Sequence, residues 1–407
     1  MALKNNKADI VVAGGSFIGL CFAIATKQYC PKLNILVLDA GKEGQYSKDE
    51  RSYAIALDAV NMFEKLRLLQ NIINVLQPIY QIKVTDTKIE EVVRLDLFEL
   101  KEKNHSPIAY MAKARDLGQA LYNRAVQLGV VIRFNEKVEN FKSDNNNVTI
   151  QTSKDATIDA KLLIAADGRF SGLRKMAGIT TSVFDYNQSG IVCTVNHERD
   201  NHGIAVQHFF PNGPFAILPL KDKQFSLVWS ETTERANYLS QLPQEMFIQE
   251  LEKCMGHYLG KLELASQVYT YPLSLVIANK FIANRFILLG DAAHGIHPLC
   301  GQGLNLGFRD CAAAAEAIVE GARLGLDLGT ATILERYQKA RRSDTVAMGV
   351  GTHLINKLFS NNSELLRILR YTGLSVCDKW LSLKSLIIAQ ANGKANNVPK
   401  LLKNMDI

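Results

Sequence analysis

An α/β fold, in which a discontinuous parallel-sheet domain is interrupted by a mostly β insertion and followed by a helical C-terminal segment, is what this sequence predicts. Three observations carry the prediction. A strand–helix–strand pattern opens the chain, and a late strand ends in Gly290-Asp291 and runs into a glycine-dense loop and a helix. Between them, from about residue 181 to 280, apolar residues alternate as they do in half-buried strands.

The opening unit begins with DIVVAG (9–14), a buried-strand pattern that leads directly into Gly14-Gly15-Ser16-Phe17-Ile18-Gly19 and an apolar helix through Leu20, Phe22, Ala23 and Ile24. A second strand, Asn34 to Leu38, ends in Asp39, 20 residues beyond Gly19. This near match to G-x-G-x-x-G, with its terminal acid in register, is a Rossmann-like dinucleotide-binding pattern. Glycines let the backbone approach a pyrophosphate at a helix N-terminus, and the carboxylate accepts hydrogen bonds from ribose hydroxyls. Ser16 holds the second glycine position, where either its Cβ crowds the pyrophosphate or its hydroxyl donates to a phosphate oxygen. Arg51, 12 residues after Asp39, is near enough to reach back over the same ligand, a plain surface arginine being the alternative.

A helix is expected from about Ala54 to Leu69, then strand-like residues from Ile79 to Phe98 that make an excursion into a separate sheet. A helix from Asp116 to Leu128 returns to the first domain, with Leu117, Leu121, Ala125 and Leu128 on one face. After strands at Val130 to Phe134 and Val148 to Thr152, the buried run KLLIAA (161–166) ends in Asp167-Gly168-Arg169-Phe170-Ser171-Gly172-Leu173-Arg174. There an aspartate beside a glycine presents its carboxylate to a cofactor, and Ser171 and Arg174 add a donor and a cation. The β insertion follows, with helix signals confined to about Thr233 to Leu259. Gln207, Phe209, Phe215 and Ile217 are read there as packed core in preference to a cavity wall.

The strand Phe286 to Leu289 then ends at Gly290-Asp291, followed by Pro298, Gly301-Gln302-Gly303 and a helix carrying Leu304, Leu306, Phe308 and Ala312 to Ala315. Such a junction points backbone N–H groups at an anionic ligand. The charged run Tyr337 to Asp344 precedes helix with apolar stripes, among them Leu354 with Leu358 and Leu365 with Leu369. The expected domains are therefore 1–76, 106–178 and 281–344 for the discontinuous α/β domain, 77–105 and 179–280 for the β-sheet domain, and 345–407 for the helical segment.

Composition narrows the function classes. With 407 residues and 47% hydrophobic content the chain has enough core for two domains. Its longest apolar runs fall far short of the roughly 18 residues that span a bilayer. No signal or transit peptide is visible, so a cytoplasmic protein is expected. Seven cysteines without a CxxC pair argue against a disulfide framework and against a zinc site. From Leu334 onward there are 12 Lys+Arg against 5 Asp+Glu, with 35 of each before it, so the net charge of +7 is C-terminal. A solvated helical face explains this, and attraction to an anionic membrane surface is the sharper reading. Nucleic acid is not an expected partner, because the basic residues are scattered and no binding motif accompanies them.

Taken in order, GGSFIG (14–19), DGRFSGLR (167–174) and GDAAHGIHPLCGQGLNLGFRD (290–310) resemble the FAD-dependent aromatic hydroxylases of the para-hydroxybenzoate hydroxylase fold. The likeness covers nearly the whole chain. It is nearest to the ubiquinone-biosynthesis hydroxylases, whose third signature His297 to Gly307 and Asp310 match. The resemblance implies that Gly14, Gly15, Ser16, Gly19 and Asp39 hold the ADP half of FAD. By the same likeness Arg51 takes the pyrophosphate or ribityl region, Arg115 and Asp291 the ribityl chain, and Gly303, Leu304 and Asn305 the flavin ring. Asp167 would lie between the FAD pyrophosphate and a transient NADH or NADPH, and Pro298 would face the flavin edge where oxygen is activated. Ser16, and Cys300 in place of a small residue, depart from the pattern.

The implied reaction is reduction by NADH or NADPH, formation of a C4a-hydroperoxyflavin with O2, and hydroxylation of a lipophilic prenylated phenol in ubiquinone biosynthesis. The oily substrate gives the basic C-terminal helices a role in peripheral contact with the inner membrane or with a biosynthetic complex. His294 and His297 are read as structural turn residues. The alternatives are a hydroxylase of a soluble aromatic acid, which needs a cation such as Arg199 or Arg235 in the β domain, and a non-catalytic flavin-binding scaffold.

Overall fold

The structure, a computed structural model, describes residues 6–87, 94–101, 106–359 and 398–407. The C-terminal stripes from Leu365 to Leu369 lie outside the described residues.

Buried apolar runs build the first sheet. The strand Lys7–Ala13 lies at its centre, parallel to Thr157–Ala165 on one side and to Ile35–Leu38 on the other. Phe286–Leu288 extends the sheet beyond Thr157–Ala165, again parallel, and Val131–Arg133 extends it beyond Ile35–Leu38. Ile10 to Val12, Leu162 to Ala165 and Phe286 to Leu288 have no exposed surface, as expected of parallel strands covered on both faces. Register then does the functional work. Ala13 pairs with Ala165 and with Leu38, and Ala165 pairs with Leu288. The three glycine-containing motifs therefore leave the sheet side by side at its C-terminal edge, where open α/β sheets bind ligands.

Small residues bring two helices together over this sheet. Phe17–Tyr29 packs against Gln302–Arg323, with the Cys311 thiol 3.2 Å from the Ile18 carbonyl oxygen. A Cβ on Gly307 would stand 2.5 Å from Ile18 Cδ1, so glycine sets the approach.

The second sheet runs His294–Gly295, Tyr269–Ala278, Thr181–His197, Gln224–Thr232, Gly213–Leu220, Ile204–Phe210, Gln81–Thr87, Arg94–Lys101. One face buries Ile191, Val195, Phe215, Ile217, Phe225 and Trp229 under the helices Thr233–Ser240 and Gln244–Met255. Each such side chain contributes about 1.5–3 kcal/mol by leaving water. The opposite face, carrying Ala205, Gln207 and Phe209, looks toward the first domain, because alternate residues of a strand point to opposite sides. Phe215 and Ile217 are thus core, as read from sequence, and Gln207 and Phe209 are buried as well, on the opposite face toward the candidate site.

Two elements differ from expectation. The helix anticipated from Ala54 starts only at Leu57, because Ser52–Ala56 pairs with Ala109–Lys113 in a small third sheet. A partner 57 residues away in sequence overrides local helix preference there. The second is Ala331–Phe359, which runs as one helix through residue 344. The chain's last residues fold back, and Leu401, Leu402 and Ile407 join the first core.

Candidate active site

At the edge of the first sheet the turn after Lys7–Ala13 is shaped by contacts that only glycine permits. Gly14 has φ +106°, and a Cβ there would lie 2.2 Å from the Ala166 carbonyl oxygen. At Gly19 a Cβ would come within 1.9 Å of the Gly14 oxygen. The helix Phe17–Tyr29 consequently starts tight against the strand. Its N-cap, Ser16, makes no side-chain capping bond, which leaves the hydroxyl and the first-turn N–H groups available.

Asp39 completes this end. Its Oδ2 accepts from Gly15 N (2.6 Å) and its Oδ1 from Gly41 N (2.7 Å) and Gln45 Nε2 (3.1 Å). A carboxylate has about four lone-pair sites, so Asp39 is held in place with acceptor capacity to spare. A cavity of about 810 Å³ opens here, lined among others by Gly14, Ser16, Asp39, Gln45, Asp167 and Met176. Its free helix N-terminus, anchored carboxylate and glycine wall fit the ADP half of a dinucleotide.

The other end is built around Gly290 and Asp310. Gly290 (φ +57°) donates its N–H to Asp310 Oδ2 at 3.1 Å. The same carboxylate meets His294 Nε2 at 2.6 Å and Arg341 Nε at 2.8 Å. Burial raises the Asp310 pKa, but the charges of His294 and Arg341 and their hydrogen bonds outweigh it and hold the group below the usual carboxylate range. This fixed knot orients the turn so that Asp291 opens to the cleft. Asp291 is accessible yet walled in by protein; burial pushes its carboxyl up, against the pull of His294, Arg169 and Arg51.

Opposite lies the start of Gln302–Arg323. Gly301 (φ +62°) turns the chain into this helix without a side-chain cap, and a Cβ on Gly303 would meet nothing within 4 Å. Open space and uncapped N–H groups make this a second place for a flat anionic group. Asn305 fixes the junction: its Oδ1 accepts from Ala56 N (2.9 Å), and its Nδ2 donates to Ala54 O (2.8 Å) and Gly301 O (3.0 Å). Arg51 is paired with Asp49 (2.6 Å) and lies 5.7 Å from the Tyr53 ring centre and 5.9 Å from that of Tyr271.

Residues 7–348 match the family described as FAD binding domain. This chain belongs to that family and is a flavoprotein monooxygenase. The "Ubiquinone hydroxylase UbiL" of Rhodospirillum rubrum is 34% identical to it over 98% of this chain and 94% of that protein. The human "Ubiquinone biosynthesis monooxygenase COQ6, mitochondrial" is 28% identical over 94% of this chain and 92% of its own length. Among solved structures, p-nitrophenol 4-monooxygenase PnpA of Pseudomonas putida superposes with a TM-score of 0.78 at 20% identity, covering 95% of this chain and 98% of that one.

Within the flavoprotein monooxygenase, Gly14, Ser16, Asp39 and Asp167 line the cavity, with Gly15 bonded to Asp39 and Gly19 close against Gly14. Asp291, Gly303, Leu304, Asn305 and Pro298 belong to the second end, Pro298 as the N-cap of the short turn Leu299–Gly301. Arg51, held by Asp49 and lying over Tyr53 and Tyr271, is one of the charges that act on Asp291. Arg115 is 55% exposed at a helix start and 3.6 Å from its neighbour Asp116. Arg174, read as a cation for the ligand, is turned inward: its Nη1 donates to the Ala292 carbonyl at 2.7 Å, tying the second motif to the third. Ser171 caps the same short helix by accepting from Arg174 N.

Sequence reasoning missed Gln45, Tyr53 and Tyr271. Gln45 sits six residues past Asp39 in a glycine-flanked turn, which was a usable signal. Tyr271 gave none, because its strand reaches the site only through tertiary packing.

Proposed function

We propose that this flavoprotein monooxygenase hydroxylates the aromatic ring of a prenylated phenol in ubiquinone biosynthesis, using NADH or NADPH and O2. The observation that carries the reading is the sheet face turned toward the flavin end. Gln207, Ala216 and Val228 lie in one cross-strand row continued by Val192, with Phe209 and Val84 beside it. Val192 and Val228 keep partial exposure although the reverse face of their strands is packed core, so this face is not fully covered there. The side chains of this row are uncharged, which suits an oily phenol and offers no counterion to a soluble aromatic acid. Arg235, a cation that the latter reading requires, is engaged by Glu250 (2.8 Å) and Glu231 (3.8 Å) at the helices behind the sheet. The names of the relatives from Rhodospirillum rubrum and human support the same pathway.

Bound FAD would supply the oxygen-activating chemistry. Gly14 to Gly19 and Asp39 would hold its ADP half, Asp291 and Arg51 its middle, and the uncapped N–H groups at Gly303 and Leu304 the ring. The chain's own contribution is orientation and a dry pocket, with Pro298 at the turn that closes the flavin end.

Peripheral membrane contact belongs to this reading. Among the described residues no helix is long and apolar enough to cross a membrane. The helix Ala331–Phe359 nevertheless exposes Leu354 (60%), Val350 (44%) and Ile355 (37%) beside Lys357. Co-sedimentation with vesicles containing anionic lipid, lost at high salt, is the expected result.

The deciding experiment measures oxygen uptake and NAD(P)H oxidation by the FAD-loaded protein with 2-prenylphenol and with 4-hydroxybenzoate. Stimulation by the first and little by the second is expected. If no prenylphenol stimulates turnover, the reading is abandoned.

A further inference from the structure

His297 is completely buried, and neither of its ring nitrogens has a hydrogen-bond partner. Each imidazole nitrogen carries either an N–H or a lone pair, and leaving such a group unmet in the interior costs about 1–3 kcal/mol. Natural cores meet nearly all their buried polar groups, so a side chain with both ends unmet points to something that meets it in the working molecule.

Its surroundings indicate what that is. The ring stands edge-on to Tyr186, 5.1 Å between centres, beside the irregularity between Asp185 and Gln188 in the second sheet. One residue earlier, Ile296 packs toward Gly349 of the long helix; two residues later, Leu299 packs with Val84 and Phe209 on the flavin-side face. The loop thus carries His297 to the junction of that face, the long helix and the flavin-end turn. Other unmet polar groups belong to the same face: Gln207 Nε2, Ser226 Oγ and Ser230 Oγ. His294, three residues away, differs in that its Nε2 is bonded to Asp310, leaving only Nδ1 unmet.

The apolar setting pushes the His297 pKa down to about 3, so the ring is neutral and offers one donor and one acceptor. A neutral phenol matches this: its O–H is a donor in search of an acceptor, on an otherwise apolar ring.

We propose that His297 recognises the phenolic hydroxyl of the substrate, its unprotonated ring nitrogen accepting the O–H hydrogen bond and so fixing the ring beside the sheet face that carries Phe209 and Val84. The inference rests on the prenylphenol reading and deepens it. No proton is transferred in this step; the residue selects and positions the phenol. A site built to hydrogen-bond a hydroxyl rejects analogues that lack it, because its polar group is then left unmet.

The test is the affinity of the oxidised, FAD-loaded protein for 2-prenylphenol and for its methyl ether, read from the perturbation of flavin absorption without turnover. The natural protein should prefer the phenol by about 10–100-fold, the equivalent of one buried hydrogen bond. His297→Leu should bring the two within about 3-fold, and His297→Gln, which keeps an acceptor, should restore part of the preference. If His297→Leu does not retain FAD, His297→Phe, which fills the space with an apolar ring, is read the same way. Full phenol preference in a folded, FAD-loaded Leu or Phe variant overturns the inference, as does equal affinity of the natural protein for both ligands. If neither ligand binds and neither stimulates oxygen uptake, the prenylphenol reading itself falls and this inference with it.

Discussion

His294 Nε2 lies 2.6 Å from Asp310 Oδ2, inside the core and behind the turn that presents Asp291. Arg341 completes the knot from the long helix at 2.8 Å and also meets Asp344 at 2.7 Å. The second glycine loop owes its shape to this charge cluster. Asp310→Asn keeps the size and removes the charge, leaving Arg341 buried with less compensation, which costs about 3–5 kcal/mol for a broken buried pair. Because the folded-state pKa of Asp310 is lowered, its contribution is present above the unfolded value and is lost as pH falls through the folded one. Urea unfolding at pH 7 and at pH 3, below the ordinary carboxylate value of 3.8, should show the variant's deficit shrinking toward the acid side. A deficit below about 1 kcal/mol at pH 7 would refute the role.

Gly19 and Gly303 are both glycines of loop motifs, but their surroundings predict opposite outcomes. A Cβ at Gly19 would overlap the Gly14 carbonyl oxygen at 1.9 Å, a backbone atom that cannot swing away. At Gly303 the same atom meets nothing within 4 Å. Gly19→Ala should purify without flavin and with lowered thermal stability. Gly303→Ala should fold normally and lose only flavin affinity, by occupying the space the ring needs. Flavin absorbance and melting temperature of the two proteins, side by side, decide it.

Asp39 offers a quantitative handle on the ADP end. Three donors already hold its carboxylate, so Asp39→Ala both frees Gly15 N and Gly41 N and removes the acceptor for a ribose. Loss of one or two hydrogen bonds to a charged group, about 1.5–3 kcal/mol each, predicts at least a tenfold rise in the FAD dissociation constant. Titration of the apoprotein by flavin fluorescence quenching measures it; a change under threefold would mean that Asp39 only shapes the turn.

The parts legible in the sequence were those where chain-local chemistry decides. Apolar runs ending in glycine and aspartate at 14, 167 and 290 specified strand ends, and register placed them together. What escaped depended on remote partners. Ala54 to Ala56 reads as helix until Ala109–Lys113 and the Asn305 amide claim its backbone. Arg174 reads as a ligand cation until the Ala292 carbonyl, 118 residues on, takes it. His294 and His297 share one motif and looked alike as turn residues. Asp310 gives one of them a structural partner, while the burial that leaves the other unmet comes from the β domain and the long helix.

That unmet imidazole makes a last prediction about the protein without substrate. Folding holds the His297 pKa near 3, below the ordinary histidine value of 6.5. A base with a depressed folded-state pKa binds its proton more readily when unfolded, so its effect on stability is absent above about pH 6.5. Below that value stability declines by about 1.4 kcal/mol per pH unit, and the decline continues until the folded pKa is reached. His297→Leu should remove one proton from this acid limb. Denaturant unfolding of the natural and variant proteins between pH 7 and pH 5 should therefore give stability differences that move in the variant's favour by about 1–2 kcal/mol as pH falls. Parallel pH dependences for the two proteins would show that His297 is solvated in solution, and would remove the physical basis for assigning it to the phenol.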